Sequence, residues 1–487
     1  MKFEVKNKIG IRKGILLVPV FEDNLKKLPG DFPEIVKNFI AGRVKNENFE
    51  GKKDNLLFTY LHGENLPEKL VIFGCGKIKE FDGKLSRELG GKIGKFIQKH
   101  HTSEAAMLNP VPHLPEFLQG LKMVQYDIGR FKTAKKPEEK NVTLQKLEIV
   151  TGKKSKDMEN GLKEVDILAE AIDNIRDLVN GPSNIVDGEH LCDEAGKIAR
   201  ENGYKLTIYK NKELKKMGAG GILAVHQGAK KDAYLIVLEY RGGKKGESPI
   251  ALIGKGVIFD TGGYNLKPVN HIEDMQQDMA GGATVLGVFS VLKKLGIKKN
   301  IVGIIPTVEN LVSDTAYRPS DIITMLSGKT VEITNTDAEG RMILADAITH
   351  GATFKPKFML TIATLTGAVA AATGDRYYGL LGNDNELIAK LRRAGDEVDD
   401  LGWPLPLHED YKKKMDSEIA DLRNYDNGSG KFAGSSKGAA FLERFVEGNK
   451  WAHIDIGGTA FTGDPKEYET KGATASGFRM LVRFFTK

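Results

Sequence analysis

Short apolar runs alternate with amphipathic segments along the first third of the chain. The apolar runs predict strands at Gly14 to Phe21, Lys69 to Gly74 and Leu147 to Thr151. Apolar residues that recur with helical spacing predict helices at Phe32 to Ala41, Lys84 to His100 and Leu114 to Gly129. Because strands and helices follow one another in turn, the pattern indicates an α/β layer fold.

The same alternation continues more strongly through the remainder of the chain. Strands are expected at Lys205 to Tyr209, Tyr234 to Tyr240, Ile250 to Ile253, Ile301 to Pro306, Thr330 to Ile333, Phe358 to Ile362 and Trp451 to Ile456. Helices are expected at Ala283 to Leu295, Met342 to Phe354, Asn385 to Val398 and Ala439 to Glu447. Several of these strands are continuous apolar runs, which predicts a central mixed sheet covered by helices on both faces.

The length of 487 residues favours more than one domain. A helical pattern from Leu162 to Val179 ends at Asn180-Gly181-Pro182, and glycine followed by proline stops a helix. We therefore expect a smaller N-terminal α/β domain over 1–160, a linking helix over 161–182 and a larger C-terminal α/β domain over 183–487.

Charge is distributed unevenly between these regions. Residues 1–160 carry 30 Lys and Arg against 21 Asp and Glu, a net charge of +9, whereas the whole chain carries +7. A basic N-terminal domain could contact nucleic acid, an oligomer partner or an acidic protein, and a solvated lysine-rich surface is the simpler interpretation. No stretch is apolar enough to span a bilayer, and Cys75 and Cys192 form no disulfide or metal-ligand pattern, so a cytoplasmic location is expected.

Two polar segments rich in glycine carry candidate functional residues. The first, 254–263, follows the strand Ile250 to Ile253 and contains Lys255 and Asp260, with Lys267 shortly after it. Ligands bind at the carboxyl ends of strands in open α/β sheets. An ordinary glycine-rich loop with a surface salt bridge would have the same pattern of residues. The second, 273–282, places Asp278 between two methionines, where a carboxylate must be paired or bound to a cation unless it caps the helix that follows.

A third segment, 335–341, joins a strand to a helix and reads NTDAEGR. Asp337 and Glu339 are two residues apart, so an extended backbone points both carboxylates to one side. Arg341 stands near a helix N-terminus, which is a favourable place for an anion. Acidic residues in the first turn of a helix also stabilise that helix, so this motif alone does not establish a site.

Together, the three segments bring four carboxylates into the candidate site. Hard oxygen ligands of this kind suit divalent cations, and two cations about 3.5–4 Å apart can share one nucleophilic water. The His-Glu-x-x-His motif is absent and none of the ten histidines falls in these segments, which argues against a mononuclear zinc protease.

A serine nucleophile is the competing mechanism that the sequence offers. Residues 434–438 read GSSKG and match the G-x-S-x-G nucleophile elbow, which requires a buried strand before the serine. A polar, glycine-rich loop precedes Ser436 instead, so the context of the motif argues against this role. His453 alternates with apolar residues in a predicted strand and is interpreted as a core histidine.

The segment NTDAEGR resembles the signature of the leucine aminopeptidase (cytosol aminopeptidase) family, M17-type two-metal metallopeptidases. The resemblance extends over nearly all of the larger domain and is carried, in the order and spacing of the family, by GKGVIFDTGG, NLKP, DMAGGATV, AYRPSDIITMLSGKTVEI, ATLTGA and WAHIDIGGTA. The N-terminal domain is similar to the family only in its size and α/β character.

The resemblance implies two metal sites. Lys255, Asp260, Asp278 and Glu339 would hold a tightly bound ion, and a lysine ligand must be deprotonated, which burial beside a dication can enforce. Asp260, Asp337 and Glu339 would hold an exchangeable ion, with assistance from the main-chain carbonyl of Asp337. The ions would be manganese or zinc, and a hydroxide that bridges them would attack the peptide carbonyl.

The resemblance also implies roles outside the metal ligands. Lys267 would polarise the scissile carbonyl and stabilise the oxyanion, and Arg341 would hold a bicarbonate ion that acts as general base. The residues similar to the family's substrate-binding positions are Met275, Thr364, Leu365 and Gly367.

We therefore expect an aminopeptidase that hydrolyses the first peptide bond of peptides with a free N-terminus and prefers leucine and other apolar residues. The family resemblance further implies a homohexamer. The alternative is a nucleic-acid-binding or regulatory protein that acts through its basic N-terminal domain.

Overall fold

The computed structural model describes residues 1–24, 34–46, 48–61, 67–108, 110–133, 143–152, 155–428 and 432–487. These residues form two compact units. The first unit comprises Met1–Glu170 and Asp464–Thr470, and the second comprises Ala171–Gly463 and Lys471–Lys487. No helix among the described residues is both long and apolar enough to cross a membrane.

The first unit contains one six-stranded sheet. Its strands are β1 (Lys2–Lys6), β2 (Ile15–Val20), β3 (Leu56–Tyr60), β4 (Lys69–Gly74), β5 (Glu104–Leu108) and β6 (Lys146–Val150). Its helices are α1 (Glu34–Asn46), α2 (Gly83–Lys99), α3 (Leu114–Met123) and the first part of α4 (Lys156–Asn180). The strand order is β1-β6-β5-β2-β4-β3, and only the pairing of β3 with β4 is antiparallel.

The three strands expected in this unit are present, and the helix expected at Leu114 to Gly129 ends six residues earlier, at Met123. The chain turns instead at Asp127, whose carboxylate accepts a hydrogen bond from the N–H of Gly129. The helix expected from Phe32 begins at Glu34, and residues 32–33 lie outside the described part of the chain.

The second unit contains the larger sheet and two small ones. Its strands are β7 (Lys205–Tyr209), β8 (Tyr234–Arg241), β9 (Ile250–Gly254), β10 (Gly256–Asp260), β11 (Asn300–Asn310), β12 (Ile322–Thr324), β13 (Thr330–Glu332), β14 (Phe358–Ala363), β15 (Tyr378–Gly382), β16 (Gly402–Pro404), β17 (Leu422–Arg423), β18 (Trp451–Asp455), β19 (Phe461–Thr462) and β20 (Gly472–Ala473). Its helices after α4 are α5 (Gly188–Asn202), α6 (Asn211–Met217), α7 (Gly220–His226), α8 (Val269–Ile272), α9 (Ala280–Leu292), α10 (Glu339–Ala352), α11 (Gly367–Thr373), α12 (Asn385–Val398), α13 (Glu409–Lys413), α14 (Gly434–Glu443) and α15 (Phe478–Thr486).

The large sheet is mixed, as expected. Its order is β16-β15-β18-β14-β9-β11-β8-β7, with β10 paired to β11. The central strands β18, β14, β9 and β11 run parallel to one another, and β8 and β15 are antiparallel to their inner neighbours. All of β9 is buried, because apolar residues occupy both of its faces.

Helices cover both faces of this sheet. A Cβ atom built on Gly303 of β11 would lie 2.4 Å from the ring of Phe289 in α9. The next residue, Ile304, lies against Gly351 of α10, 3.3 Å from a Cβ atom built there. Because successive strand residues point to opposite faces, α9 and α10 pack on opposite sides of the sheet.

Two elements of this sheet differ from the sequence expectation. The segment 254–263, expected as a loop, contains the strand β10, because its apolar residues Val257 and Ile258 are buried against the core. The strand expected at Ile301 to Pro306 continues to Asn310, past a proline at which the apolar run was expected to end. Pro306 lies between the part of β11 that pairs with β9, which ends at Ile304, and the part that pairs with β10, which begins at Thr307.

Candidate metal centre

The polar segments meet at the carboxyl ends of the parallel strands of the large sheet. Lys255 follows β9, Asp260 ends β10 and Thr364 follows β14. The strands themselves are apolar and buried, so their ends are the first positions at which polar side chains can project from the core. This edge is where open α/β sheets bind ligands.

Lys255 lies at the centre of one group of contacts and is only 3% exposed. Its Nζ is 2.8 Å from both carboxylate oxygens of Asp278 and 2.8 Å from Oε1 of Glu339, and it donates a hydrogen bond to the carbonyl oxygen of Thr364 at 3.0 Å. Burial by itself would lower the pKa of Lys255, but the charges of Asp278, Glu339 and Asp260 outweigh burial and raise it. The ammonium therefore links two carboxylates from distant parts of the chain.

Lys267 lies at the centre of a second group. Its Nζ is 2.8 Å from Oδ2 of Asp260 and 2.6 Å from Oδ1 of Asp337. Burial would lower the pKa of Lys267, and the neighbouring carboxylates, Asp260 first, outweigh that effect and raise it. Its side chain is 15% exposed, so this ammonium is more accessible than that of Lys255.

The carboxylates are too close together to be equally acidic. Burial, followed by the charge of Glu339, raises the pKa of Asp260 to about 6. Burial also raises the pKa of Asp278 to about 7, and that of Asp337 is raised by burial and by Glu339. Burial would raise the pKa of Glu339 too, but Lys255 and Lys267 outweigh it and lower that pKa. Buried carboxylates of this kind favour whatever cation can reach them.

The donor set fits divalent cations. Carboxylate oxygens of Asp260, Asp337 and Glu339 all lie within 4.8 Å of one another. Some point is then at most about 2.8 Å from all three atoms, so small side-chain shifts bring all three within the roughly 2.0–2.6 Å at which oxygen ligands hold divalent ions. Four carboxyl groups share only two ammonium groups, so the cluster has two more acidic than basic side chains. Asp278 stands outside the three-carboxylate group and is joined to it through Lys255.

Helix capping does not explain the two acids that precede helices. Met279, not Asp278, occupies the N-cap position of α9, and no side chain caps that helix end. Ala338 occupies the N-cap position of α10, and Glu339 in its first turn pairs with Lys255. Both acids therefore direct their carboxylates into the cluster.

Arg341 follows Glu339 by two residues in the first turn of α10 and is 4% exposed. It donates a hydrogen bond from Nη1 to the carbonyl oxygen of Asn424 at 2.8 Å, and its guanidinium lies 5.7 Å from the ring centroid of Tyr425. Its Nε has no hydrogen-bond partner among the described residues. A buried guanidinium with a spare donor is suited to holding an anion.

The four expected substrate-binding residues lie near these groups along the chain. Met275 begins the short 3-10 helix that contains Asp278 and is partly exposed. Thr364 donates a hydrogen bond from Oγ1 to Oδ1 of Asp278 at 2.6 Å, and the N–H of Leu365 donates to Oδ1 of Asp455 at 3.2 Å. Gly367 begins α11 and is exposed, and a Cβ atom built on it would have no neighbour within 4 Å.

Sequence reasoning missed Asn310, which supports the cluster from the end of β11. This residue is fully buried, and its Nδ2 donates hydrogen bonds to Oδ1 of Asp260 at 2.7 Å and to the carbonyl oxygen of Thr336 at 3.1 Å. The N–H of Gly262 also donates to the same oxygen of Asp260 at 2.8 Å. A polar residue at the carboxyl end of a long apolar strand could have indicated this position. It was overlooked because the strand was predicted to end at Pro306.

Lys437 is a second residue whose surroundings the sequence did not reveal. It is buried, its Nζ lies 3.3 Å from Oδ2 of Asp426, and it lies 5.9 Å from the ring centroid of Tyr425. Arg341 lies against the same ring. Two buried cations therefore share one aromatic ring beside the carboxylate cluster, although they are nearly 100 residues apart in sequence.

The geometry does not favour the serine nucleophile. Ser436 lies in the first turn of α14, and the residue before this helix, Ala433, has a left-handed backbone rather than a strand conformation. His453 is fully buried in β18, and its Nδ1 lies 2.8 Å from Oγ1 of Thr361. Burial lowers the pKa of His453 to about 3, as expected for a neutral core histidine.

Two regions of the chain match the two domain models of one known protein family. Residues 174–482 match the catalytic domain of the cytosol aminopeptidase family, and residues 17–135 match the N-terminal domain of the same family. The second match adds to what the sequence motifs indicated, since the N-terminal third resembled the family only in size and α/β character.

Individual relatives extend over nearly the whole chain. A probable cytosol aminopeptidase of Geobacter sulfurreducens is 36% identical over 481 residues, which is 96% of this chain and 95% of the relative. One from Stutzerimonas stutzeri is 37% identical over 504 residues and covers 99% of both chains. A solved structure of a tomato leucine aminopeptidase mutant superposes with a TM-score of 0.84 at 25% identity and covers 100% of this chain and 96% of that one. The chain therefore belongs to the cytosol (leucine) aminopeptidase family and is a peptidase.

Proposed function

We propose that this peptidase is a metal-dependent aminopeptidase that uses two divalent ions, manganese or zinc, to remove the N-terminal residue of peptides. The observation that carries the proposal is the local excess of acidic groups, with the carboxylates of buried Asp260, buried Glu339 and exposed Asp337 all within 4.8 Å of one another. The family is metal-dependent, and the cluster offers the hard oxygen ligands that such ions take.

We assign the ligands to two overlapping groups. Lys255, Asp260, Asp278 and Glu339 would hold one ion, and Asp260, Asp337 and Glu339 the other, with the main-chain carbonyl of Asp337 as a further ligand. The contacts of Lys255 with Asp278 and Glu339, each at 2.8 Å, support the first group, because these three side chains already converge. When bound, the ions would supply Lewis-acid polarisation of the peptide carbonyl and neutralise developing negative charge.

Lys267 is assigned to the substrate carbonyl. Its ammonium remains charged because the adjacent carboxylates raise its pKa, and it is the more exposed of the two lysines. A charged donor at the opening of the site can donate a hydrogen bond to the oxygen that becomes negative in the transition state, which is where such a donor accelerates the reaction.

Arg341 is assigned to a bound anion, and we propose bicarbonate. Its buried guanidinium keeps Nε without a partner among the described residues, so it can add a hydrogen bond to a small planar oxyanion. An anion held there would take up a proton during the reaction, a task for which no histidine lies among the ligand segments.

We further propose that Met275, Thr364, Leu365 and Gly367 bind the substrate, and that leucine and other apolar residues are preferred at its N-terminus. Open space beside Gly367 and the partly exposed thioether of Met275 support this assignment. Because relatives are called cytosol aminopeptidases, we propose a cytoplasmic location. The family resemblance of the sequence motifs is the basis on which we propose a homohexamer.

The proposal is tested by metal content and activity measured on the same protein. Enzyme stripped with a chelator should lose cleavage of a leucine chromogenic amide and regain it with added Mn²⁺ or Zn²⁺. Quantification of bound metal should give two ions per chain in the restored enzyme. Full activity without bound metal would refute the proposal.

A further inference from the structure

A cavity of about 530 Å³ lies at the opposite edge of the large sheet, within the second unit. Residues at or just before the beginnings of three adjacent parallel strands line it, namely Ile250 of β9, Asn300 of β11 and Phe358 of β14. Helices α12 and α15 supply the remaining walls through Arg393 and Phe484. The candidate metal centre lies at the carboxyl ends of the same strands, so the two sites are separated by the sheet.

The lining of this cavity is strongly cationic. It holds six lysine and arginine side chains and a single carboxylate, that of Glu247. Two of these cations, Lys390 and Lys487, are paired with the acids Glu386 and Glu397.

The remaining four cations are not neutralised. Within the described parts of the chain, no carboxylate lies within salt-bridge distance of Lys298, Lys299, Lys357 or Arg393. They come from two loops and one helix that are well separated in sequence, so a simple run of lysines does not account for their convergence. Like charges gathered in one concavity repel one another and favour binding of an anion.

The backbone around these lysines is fixed by hydrogen bonds. The side chain of Asn300 donates from Nδ2 to the carbonyl oxygens of Lys244 and Glu247, both at 3.0 Å, and accepts from the N–H of Gly243 at 3.0 Å. The N–H of Lys357 donates to the carbonyl oxygen of Pro249 at 2.8 Å. Ordered loops reduce the entropy that a ligand must overcome on binding.

The cavity also has an aromatic surface. The rings of Phe358 and Phe484 lie 5.9 Å apart at an angle of 75°, and both side chains are partly exposed. Ile250 and Ala394 add apolar surface beside them. A ligand with only phosphate groups would use the cations and leave these rings uncovered.

We propose that this cavity binds a small phosphate-bearing molecule with an aromatic part, of the size and chemistry of a nucleotide. The phosphates contact Lys298, Lys299, Lys357 and Arg393, and the aromatic part packs on Phe484. The volume falls in the range of small-molecule sites, whereas a nucleic-acid backbone needs an extended basic surface.

Calorimetric titration of the intact enzyme tests the proposal with two probes, ATP and inorganic triphosphate. Both are titrated with excess Mg²⁺, so that neither withdraws metal from the enzyme. The variant Lys298→Ser with Lys357→Ser should bind both probes about a hundredfold more weakly, roughly tenfold for each lost charge-assisted contact. The matched control is Lys215→Ser with Lys216→Ser, two exposed lysines on α6, and it should bind both probes as the parent enzyme does.

The aromatic part has its own test. Phe484→Ala should weaken ATP binding about tenfold and leave triphosphate binding unchanged, because only ATP has a base that can stack on this ring. Peptidase activity of the variants reports their folding, since none of the changed residues belongs to the metal centre.

Three results would overturn the proposal. The first is that neither probe binds the parent enzyme at physiological salt. The second is that the variant changed at Lys298 and Lys357 binds both probes as the parent enzyme does. The third is that duplex DNA displaces ATP and that this displacement depends steeply on salt. Equal affinity for both probes, unaffected by Phe484→Ala, would overturn the assignment of an aromatic ligand.

Discussion

Replacing Glu339 with glutamine removes one negative charge from the proposed centre and leaves the shape of the side chain almost unchanged. Glu339 is 2% exposed, its Oε1 lies 2.8 Å from Nζ of Lys255, and it belongs to the group of three carboxylates with Asp260 and Asp337. Like Asp260, it is assigned to both metal ions. Glu339→Gln should therefore weaken the binding of both.

The magnitude follows from the charge that is lost. A unit charge about 4 Å from another contributes about 4 kcal/mol at an effective dielectric constant near 20. A loss of that size corresponds to roughly a thousandfold weaker ion binding, and the double charge of the ion makes this a lower bound. We expect kcat/KM at limiting metal to fall by at least the same factor.

Metal content and activity are measured on the same samples. Parent enzyme and Glu339→Gln are dialysed against a fixed low concentration of Mn²⁺ or Zn²⁺, and bound metal is quantified by mass spectrometry beside hydrolysis of a leucine chromogenic amide. Glu309→Gln is the matched control, because Glu309 lies near the end of β11, is partly buried and stands outside the carboxylate cluster. Circular dichroism verifies that both variants are folded.

The reasoning would be refuted if folded Glu339→Gln kept two bound ions and the activity of the parent enzyme. Loss of activity with unchanged metal content would also contradict it, since it would show that Glu339 acts on the substrate rather than as a ligand. Equal losses in the Glu309→Gln control would show that the assay responds to any lost charge.

Two further predictions concern residues around the cluster, and a third concerns Asp346, a buried acid of α10 that accepts hydrogen bonds from the N–H groups of Ile222 and Leu326. Lys267→Ala should lower kcat by about 10²–10³ while both metals remain bound, because it removes the donor assigned to the oxyanion. Asn310→Ala should reduce metal affinity by about 10–100-fold, because Asp260 loses a buried donor that orients it. Burial raises the pKa of Asp346 to about 7, above its ordinary value of 3.8, so the native state holds its proton more tightly than the unfolded state. The stability advantage of the parent enzyme over Asp346→Asn should therefore be largest near pH 4 and shrink as the pH rises to 7, by at most about 1.4 kcal/mol per pH unit.

Each of these predictions has a clear contrary result. Loss of both metals in Lys267→Ala would contradict its role at the substrate carbonyl. Parent-like metal affinity in Asn310→Ala would show that Gly262, which also donates to Asp260, is sufficient to orient it. A stability difference that stays constant between pH 4 and pH 7, measured by urea unfolding, would show that Asp346 keeps an ordinary pKa.

The sequence predicted the fold class because its strongest strands are buried on both faces. Ile250 to Ile253 and Phe358 to Ile362 are continuous apolar runs, and the structure pairs them in parallel at the centre of the large sheet. Short or partly exposed strands were missed, among them Leu56–Tyr60, because they carry no comparable run. The candidate residues Lys255 and Asp260 lie at the carboxyl ends of two strands of the large sheet, β9 and β10.

The details of the centre could not be predicted from local pattern. The contact of Lys255 with Asp278 and Glu339 joins three segments that are far apart in the chain, and only the pairing of strands brings them together. Asn310 was not predicted as part of the centre, because Pro306 was taken as the last residue of its strand. The cationic cavity was not predicted either, because Lys298, Lys357 and Arg393 are far apart in sequence and each has the pattern of an ordinary surface residue. Only the fold brings them together.

The most direct test of the proposed function is hydrolysis of two leucine amides by metal-stripped enzyme, before and after Mn²⁺ or Zn²⁺ is restored. One amide has a free amino group and the other is N-acetylated. A metal-dependent aminopeptidase should cleave only the free-amine substrate, and only after metal is restored. Cleavage of the acetylated substrate, or cleavage without metal, would contradict the proposed two-metal aminopeptidase.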